Sequence, residues 1–246
     1  MNITSRRLEI LDKMLEEYSY KYGYYSVAGL LIKYYILITS LDLFVNCEDK
    51  YKYDLYVNLK EATDLVLDHY QKAERSPTIS QNTWSYEVEI NGEKFYKFDP
   101  EIYEKYYSNS GEIIQKKLVK ASKEIINSIE GHKFYLYAVN KNMEPIIYLK
   151  TIPLFDLMNG RQRLKEGEYP IAHPVLLHNY DLIAKGAGEI VFIKDDDKNI
   201  IKGALINNKS GHFRPSPSTL EVVKKIFSQA LNISKENIVT IGIEGV

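Results

Sequence analysis

A change in the spacing of apolar residues near residue 132 most constrains what this chain can fold into. In the first 75 residues, apolar side chains recur every three or four positions, as at Leu8, Leu11 and Leu15, which predicts amphipathic helices. After residue 132, aromatic and β-branched residues form continuous runs, such as 134–139, which predict strands. Helices followed by hairpins are typical of the α+β class. We therefore predict an N-terminal helical part and then a mostly antiparallel sheet packed with one or two helices.

The apolar run at residues 27–45 is long enough to cross a bilayer, but its charges favour a buried core helix. Lys33 and Asp42 lie inside the run, and each central charge would cost roughly 2.5–3.5 kcal/mol in a membrane. Ser26 precedes the run and is placed to cap the helix. Cys47, the one cysteine, follows it and is expected to be a small buried side chain. We predict no membrane span.

Turn residues divide the rest of the chain. Asn91-Gly92 lies between two alternating runs and predicts a hairpin over residues 84–98. Helical spacing over residues 100–129, which stops at Gly131, predicts helix there. The remaining predicted features are two hairpins, with turns at 140–142 and 195–197, and a last strand at 238–243. The aspartates at 195–197 lack the glycine and glutamate of a calcium loop, so a solvated turn is predicted.

Composition and the Ser76-Pro77 break set the domain organisation. Proline cannot continue a helix, so we predict a helical subdomain at 1–78 and an α+β domain at 79–246. The chain has 45% hydrophobic residues, and its 32 basic and 33 acidic side chains leave a net charge of -1. This balance does not favour binding to nucleic acid. Arg6 and Arg7 lead into a helix and not into an apolar signal core, so a cytoplasmic location is expected.

The loop at residues 207–215 is the strongest candidate for a site. It places three basic side chains, Lys209, His212 and Arg214, just before a helix that we predict to begin at Ser218. Helix N-termini attract anions, so the pattern indicates a phosphate or carboxylate site. Glu221 completes a capping box with Ser218. The alternative is an ordinary solvated loop stiffened by its prolines.

Gly211 lies in the middle of this loop. A glycine in an irregular loop often has a positive φ, so we predict that Gly211→Val misplaces or unfolds the loop.

Four segments together resemble a known module. They are 134–139, Ala172-His173-Pro174, Ala187-Gly188-Glu189 and Ser210-Gly211-His212-Phe213-x-Pro215. In this order they resemble the C-terminal module of the plant IQ-motif calmodulin-binding proteins, and similar modules of fungal proteins and bacterial effector- or toxin-like proteins. The resemblance covers residues 131–246. Pro174 replaces a serine of that module and Phe213 a tyrosine. Calmodulin binding is not expected, because Ile114-Gln115 lacks the basic residue that should follow it.

The resemblance and the basic loop together suggest an effector- or toxin-like enzyme that acts on a phosphorylated small molecule. The candidate reaction is ADP-ribosyl transfer with NAD as substrate. The catalytic candidates are His173, His212 and Glu189, with Glu189 stabilising an oxocarbenium-like centre and His173 holding the ribose or nicotinamide. The ligand-binding candidates are Lys209, Ser210, Gly211 and Arg214. For Glu189, an exposed strand carboxylate is the alternative, and Arg161 and Arg163 are further anion-binding candidates.

Other classes of function are also consistent with the sequence. A non-catalytic ligand- or protein-binding module would use the loop as a structural corner and the N-terminal helical part to contact a partner protein. A nuclease or another hydrolase is a third class. No metal site is predicted, because Pro174 prevents a regular helix through His173 and His178. Eleven tyrosines in the first 75 residues are expected to be buried rings or, alternatively, an aromatic ligand cage.

Overall fold

The computed structural model describes residues 3–73, 84–159, 171–195 and 197–245. It confirms the predicted α+β class, because N-terminal helices pack on one face of a mostly antiparallel sheet and a later helix packs on the other. The predicted domain boundary at residue 78 lies outside the described residues. One apolar core contains side chains from the helical part and from the sheet.

Three helices form the N-terminal part: α1 (Ile3–Tyr22), α2 (Val27–Asn46) and α3 (Lys52–Lys72). Ser26 caps α2, as predicted, because its Oγ accepts a hydrogen bond of 3.1 Å from the Gly29 amide. Helix α2 contacts both α1 and α3 and also the sheet, so it is the predicted core helix. Its length and composition would also suit a membrane span, and 67% of its apolar window is buried inside the protein.

Eight strands form a single sheet. Their ranges are β1 (Ser85–Ile90), β2 (Glu93–Phe98), β3 (Leu118–Lys120), β4 (Phe134–Asn140), β5 (Pro145–Tyr148), β6 (Ile183–Asp195), β7 (Ile200–Asn207) and β8 (Ile238–Ile241). The order is β1-β2-β6-β4-β5-β3, with β7 also paired to β6 and β8 paired to β7. All three predicted hairpins are present. The first turns at Asn91 and Gly92, whose positive φ values of 53° and 78° suit a tight hairpin turn.

Shorter helices connect the strands: α4 (Pro100–Tyr106), α5 (Ser108–Ile114), α6 (Leu154–Asn159) and α7 (Leu220–Leu231). The predicted capping box at Ser218 is wrong, because a 3-10 turn over Pro217–Thr219 precedes α7. Ser216 caps that turn, and its Oγ accepts a hydrogen bond from the Ser218 amide. The last strand also departs from the antiparallel pattern, since β8 is parallel to β7.

The prediction of helix through residues 115–129 is wrong. The chain leaves α5 through a 3-10 turn and then forms β3, which pairs with β5. Strand pairing provides partners for the backbone of Leu118–Lys120, and this long-range contact outweighs the local helical spacing. A 3-10 helix follows at Lys123–Ser128, where Ile125 and Ile126 are buried in a second core.

Candidate functional site

The candidate site lies where two strands separate along one edge of β6. Strand β2 pairs with Ile183 and Ala184, whereas β7 pairs with β6 only from Ile190 onward. Strand β4 occupies the opposite edge, so β2 and β7 share the same edge of β6 and diverge between these points. The loop at residues 207–215 follows β7 and reaches β1, because the Phe213 carbonyl accepts a hydrogen bond from Ser85 Oγ. The gap between the strands is thus filled by the predicted loop.

Two buried asparagines hold the ends of this loop. Asn207 Oδ1 accepts hydrogen bonds from the amides of Glu189 (2.9 Å) and Lys209 (3.0 Å). Asn208 is fully buried, and its amide nitrogen donates to the carbonyls of Pro215 (2.7 Å) and Ile243 (3.0 Å). Its Oδ1 accepts from the Ile243 amide at 2.7 Å. Both asparagines belong to the predicted loop, but the sequence reasoning gave their side chains no role.

Several polar groups of the predicted ligand-binding residues form hydrogen bonds within the protein. Ser210 is fully buried, and its Oγ accepts a hydrogen bond of 3.3 Å from the Phe213 amide. Lys209 Nζ donates to the Leu157 carbonyl at 2.7 Å. Arg214 is half-buried, and its amide donates to the Ser210 carbonyl. The loop is therefore attached to its surroundings at several points, and the alternative of an ordinary solvated loop is wrong.

Gly211 does not carry the conformational strain that we predicted. It is exposed, its φ is not positive, and an added Cβ would meet open space. The left-handed residue of the loop is Arg214, with a φ of 48°. The expectation that Gly211→Val disrupts the loop is therefore wrong.

Glu189 is buried, so its interpretation as an exposed strand carboxylate is wrong. Its side chain is 3% exposed, and Oε2 accepts a hydrogen bond of 2.8 Å from Asn207 Nδ2. Burial raises the pKa of Glu189, whereas the positive charge of Lys209 and the Asn207 hydrogen bond lower it. Glu189 lies directly opposite Leu136 of β4, which belongs to the core shared with the N-terminal helices, so this carboxylate faces the helical layer.

His173 is buried at the start of a 3-10 helix that ends at Leu177. Its Nε2 donates a hydrogen bond of 3.0 Å to the Gly188 carbonyl, which requires the Nε2-protonated tautomer because a carbonyl only accepts. Burial lowers the pKa of His173 to about 3, and His212 and Lys209 also lower it. The imidazole is therefore neutral at pH 7, and two residues of the loop, Lys209 and His212, are near enough to influence its pKa.

His212 lies among aromatic rings. Its ring centroid is 5.6 Å from Tyr107, 6.1 Å from Phe98 and 6.3 Å from Trp84, and Nε2 is 3.1 Å from the Tyr107 hydroxyl. Burial lowers the pKa of His212 to about 4. His212 is therefore neutral at pH 7, so this member of the three basic side chains of the loop provides no positive charge there.

Gly188 permits the close approach of another group, and that group is the backbone of the same protein. A Cβ at this position would lie 2.0 Å from the Asn207 carbonyl oxygen. Gly188 therefore brings the end of β7 against β6, and the same contact places Asn207 beside Glu189.

Two tyrosine rings of the helical part contact a lysine of the same chain, Lys33, where an aromatic cage for a ligand was the alternative prediction. Lys33 Nζ lies 3.4 Å from the centroid of the Tyr24 ring and 5.0 Å from that of Tyr25, and it donates to His69 Nδ1 at 3.4 Å. Burial lowers the pKa of Lys33 to about 8. This group lies in the helical layer, and the sequence reasoning missed it.

Most of the early tyrosines are exposed, so the expectation that their rings are buried is wrong for eight of the eleven. The exposed ones are Tyr18, Tyr20, Tyr22, Tyr25, Tyr35, Tyr51, Tyr53 and Tyr56.

Arg161 and Arg163 lie outside the described residues. In the parts of the chain that the structure describes, no group of three or more histidine, cysteine or carboxylate side chains is arranged to hold a metal ion. Comparisons with protein-family models, with curated proteins and with solved structures gave no match.

Proposed function

We propose that this chain is a non-catalytic binding module, in which the loop at residues 207–215 is a structural corner and the helical part contacts a partner protein. The observation that supports the proposal is that polar groups of the loop form hydrogen bonds within the chain. Asn208, Lys209 and Ser210 all hydrogen-bond to backbone groups of the same chain. A loop whose polar groups are already hydrogen-bonded within the chain has fewer groups to offer to a ligand.

The surface of the helical part supports the second half of the proposal. Tyr20 is 96% exposed and Tyr53 is 78% exposed, and they belong to the eight exposed tyrosines of this part. Tyrosine is enriched in protein interfaces, because its ring offers a large rigid contact area and its hydroxyl a hydrogen bond. A partner protein that covers these rings would gain from their burial.

An enzyme that uses NAD in the manner of an ADP-ribosyltransferase is the second candidate. Its specific support is the buried carboxylate of Glu189. Burial raises the pKa of this group, and the positive charge of Lys209 lowers it. Perturbed carboxylates beside basic groups occur often at catalytic sites. In this scheme Glu189 stabilises the oxocarbenium-like centre, His173 holds the ribose or nicotinamide, and Lys209, His212 and Arg214 bind phosphate. Since Glu189 is 3% exposed, the substrate would reach it only after the loop moves.

Two variants separate the candidates. Wild-type protein and Glu189→Gln are incubated with NAD, and nicotinamide release and protein-bound ADP-ribose are measured. The binding-module proposal expects neither product in excess of the buffer control, and no shift of Tm by NAD. The exposed Glu236 provides the matched control, Glu236→Gln. Product formed by wild type and Glu236→Gln but lost in a folded Glu189→Gln variant would overturn the proposal.

Lys209→Met adds a positive test. The proposal expects lower stability, because the Leu157 carbonyl loses its donor. The enzyme candidate expects weaker NAD binding as well, whereas the binding-module proposal expects no NAD binding in either protein. An unchanged Tm would count against the structural role of Lys209.

A further inference from the structure

A groove separates the first two helices from one end of the sheet. It has a volume of about 800 Å³ and lies between α1, α2, the residues that lead into β4 and those that follow β5. Its apolar lining includes Leu11, Ile38, Phe134, Ile152 and Leu154, which are buried. This volume is within the range of about 300–1,000 Å³ that is usual for small-molecule sites. The groove shares no residue with the loop at 207–215.

Among the described residues, the charged side chains that line the groove are basic. Arg7 on α1 and Lys133 before β4 line it, and both are exposed. Among the described residues that line the groove there is no carboxylate, although the whole chain has a net charge of -1. Neither Arg7 nor Lys133 forms an ion pair with another described residue. His132 also lines the groove, and its Nε2 lies 3.6 Å from Asp42 Oδ2.

We infer that this groove binds a single-tailed anionic amphiphile, a carboxylate with an unbranched alkyl chain. The chain would lie on the apolar lining, where each methylene removed from water raises affinity about fourfold. The carboxylate would remain near the entrance, where Arg7 and Lys133 provide positive charge and water still reaches the head group. A neutral or cationic head group would lack this attraction, so the charge of the head group distinguishes this ligand class.

The inference goes beyond the proposed function. Its test measures binding in the groove, whereas the tests of the loop measure stability and turnover of NAD. One can therefore fail without the other.

The test is titration calorimetry of the full chain with decanoate, below its micelle concentration. We expect one decanoate per chain. Octanoate, with two methylenes fewer, is expected to bind about 15-fold more weakly. Decyltrimethylammonium has the same tail with a cationic head, and we expect it to bind more weakly than decanoate.

Variants then locate the site. Arg7→Gln combined with Lys133→Gln is expected to weaken decanoate binding about tenfold. Lys225→Gln is the matched control, because this exposed lysine lies on α7, on the other face of the sheet, and its binding should equal that of wild type. Leu31→Trp, which fills the groove from α2, should abolish binding while circular dichroism shows an intact fold. Absence of binding, equal affinity for both head groups, or no effect of the double variant or of Leu31→Trp would overturn the inference.

Discussion

Removal of the Asn208 side chain should destabilise the protein strongly. This residue is fully buried and makes three hydrogen bonds, of 2.7, 3.0 and 2.7 Å, to the backbone of Pro215 and Ile243. In Asn208→Ala, two carbonyls and one amide lose their partners. A buried group left without a partner costs about 1–3 kcal/mol, and some of this cost is recovered where water enters the vacated space. We therefore expect the free energy of unfolding to fall by about 3 kcal/mol.

The measurement is urea unfolding followed by circular dichroism, with the midpoint and the slope compared between variants. For a chain of this size, about 3 kcal/mol corresponds to a fall in Tm of about 6–12 °C. Asn199→Ala is the matched control, because Asn199 is exposed and its side chain donates one surface hydrogen bond to Asn127. A smaller fall, of about 1 kcal/mol, is expected there, because Asn199 has a φ of 49° that alanine adopts less readily than asparagine. If Asn208→Ala were as stable as Asn199→Ala, the structural role of the loop would be refuted.

Two further predictions concern protonation and close packing. His173 and His212 have pKa values of about 3 and 4 in the folded protein, whereas an unfolded histidine has a pKa of about 6.5. Below pH 6.5 the unfolded state therefore binds more protons than the folded state. The folded protein has its full stability above pH 6.5 and loses part of it as the pH falls towards 4. Between pH 6.5 and 5, each histidine should lower the free energy of unfolding by about 2 kcal/mol, which urea unfolding at several pH values measures. His212→Gln should make the free energy of unfolding depend less steeply on pH. An equally steep pH dependence in that variant would contradict the low pKa of His212. Gly188→Ala should cost about 3 kcal/mol, because its Cβ would lie 2.0 Å from the Asn207 carbonyl oxygen, whereas Gly211→Ala, whose Cβ meets open space, should be neutral within about 0.5 kcal/mol. Equal stabilities of the two glycine variants, from the same unfolding measurements, would contradict the packing argument.

Local patterns predicted much of the fold. The Asn91-Gly92 turn and the alternation around it were sufficient for the first hairpin, because turn geometry depends on a few adjacent residues. Ser26 was recognised as a helix cap for the same reason. The prediction failed at residues 118–120, where pairing with β5 requires a strand. The spacing of apolar residues along the chain gives no information about a partner strand such as β5.

The candidate site was predicted less completely. Sequence reasoning selected Glu189, His173 and Lys209, and the structure brings them into one electrostatic group. It placed Asn207 in the loop but gave no role to its side chain, which joins β6 to the loop, because a polar residue at a strand end usually faces water. It also counted His212 among the basic side chains of the loop, whereas burial among Trp84 and other rings keeps this imidazole neutral at pH 7.

The sequence by itself determined the order of helices and strands, the principal turns and the α+β class. These features depend on the spacing of apolar residues and on the backbone preferences of glycine, asparagine and proline, which act over a few positions. Only the tertiary structure decided that Glu189 faces the interior and that the loop's donors are bound to the Leu157 and Ile243 backbone. Burial and hydrogen bonding depend on residues far away in the chain, and these contacts set the charge of each group.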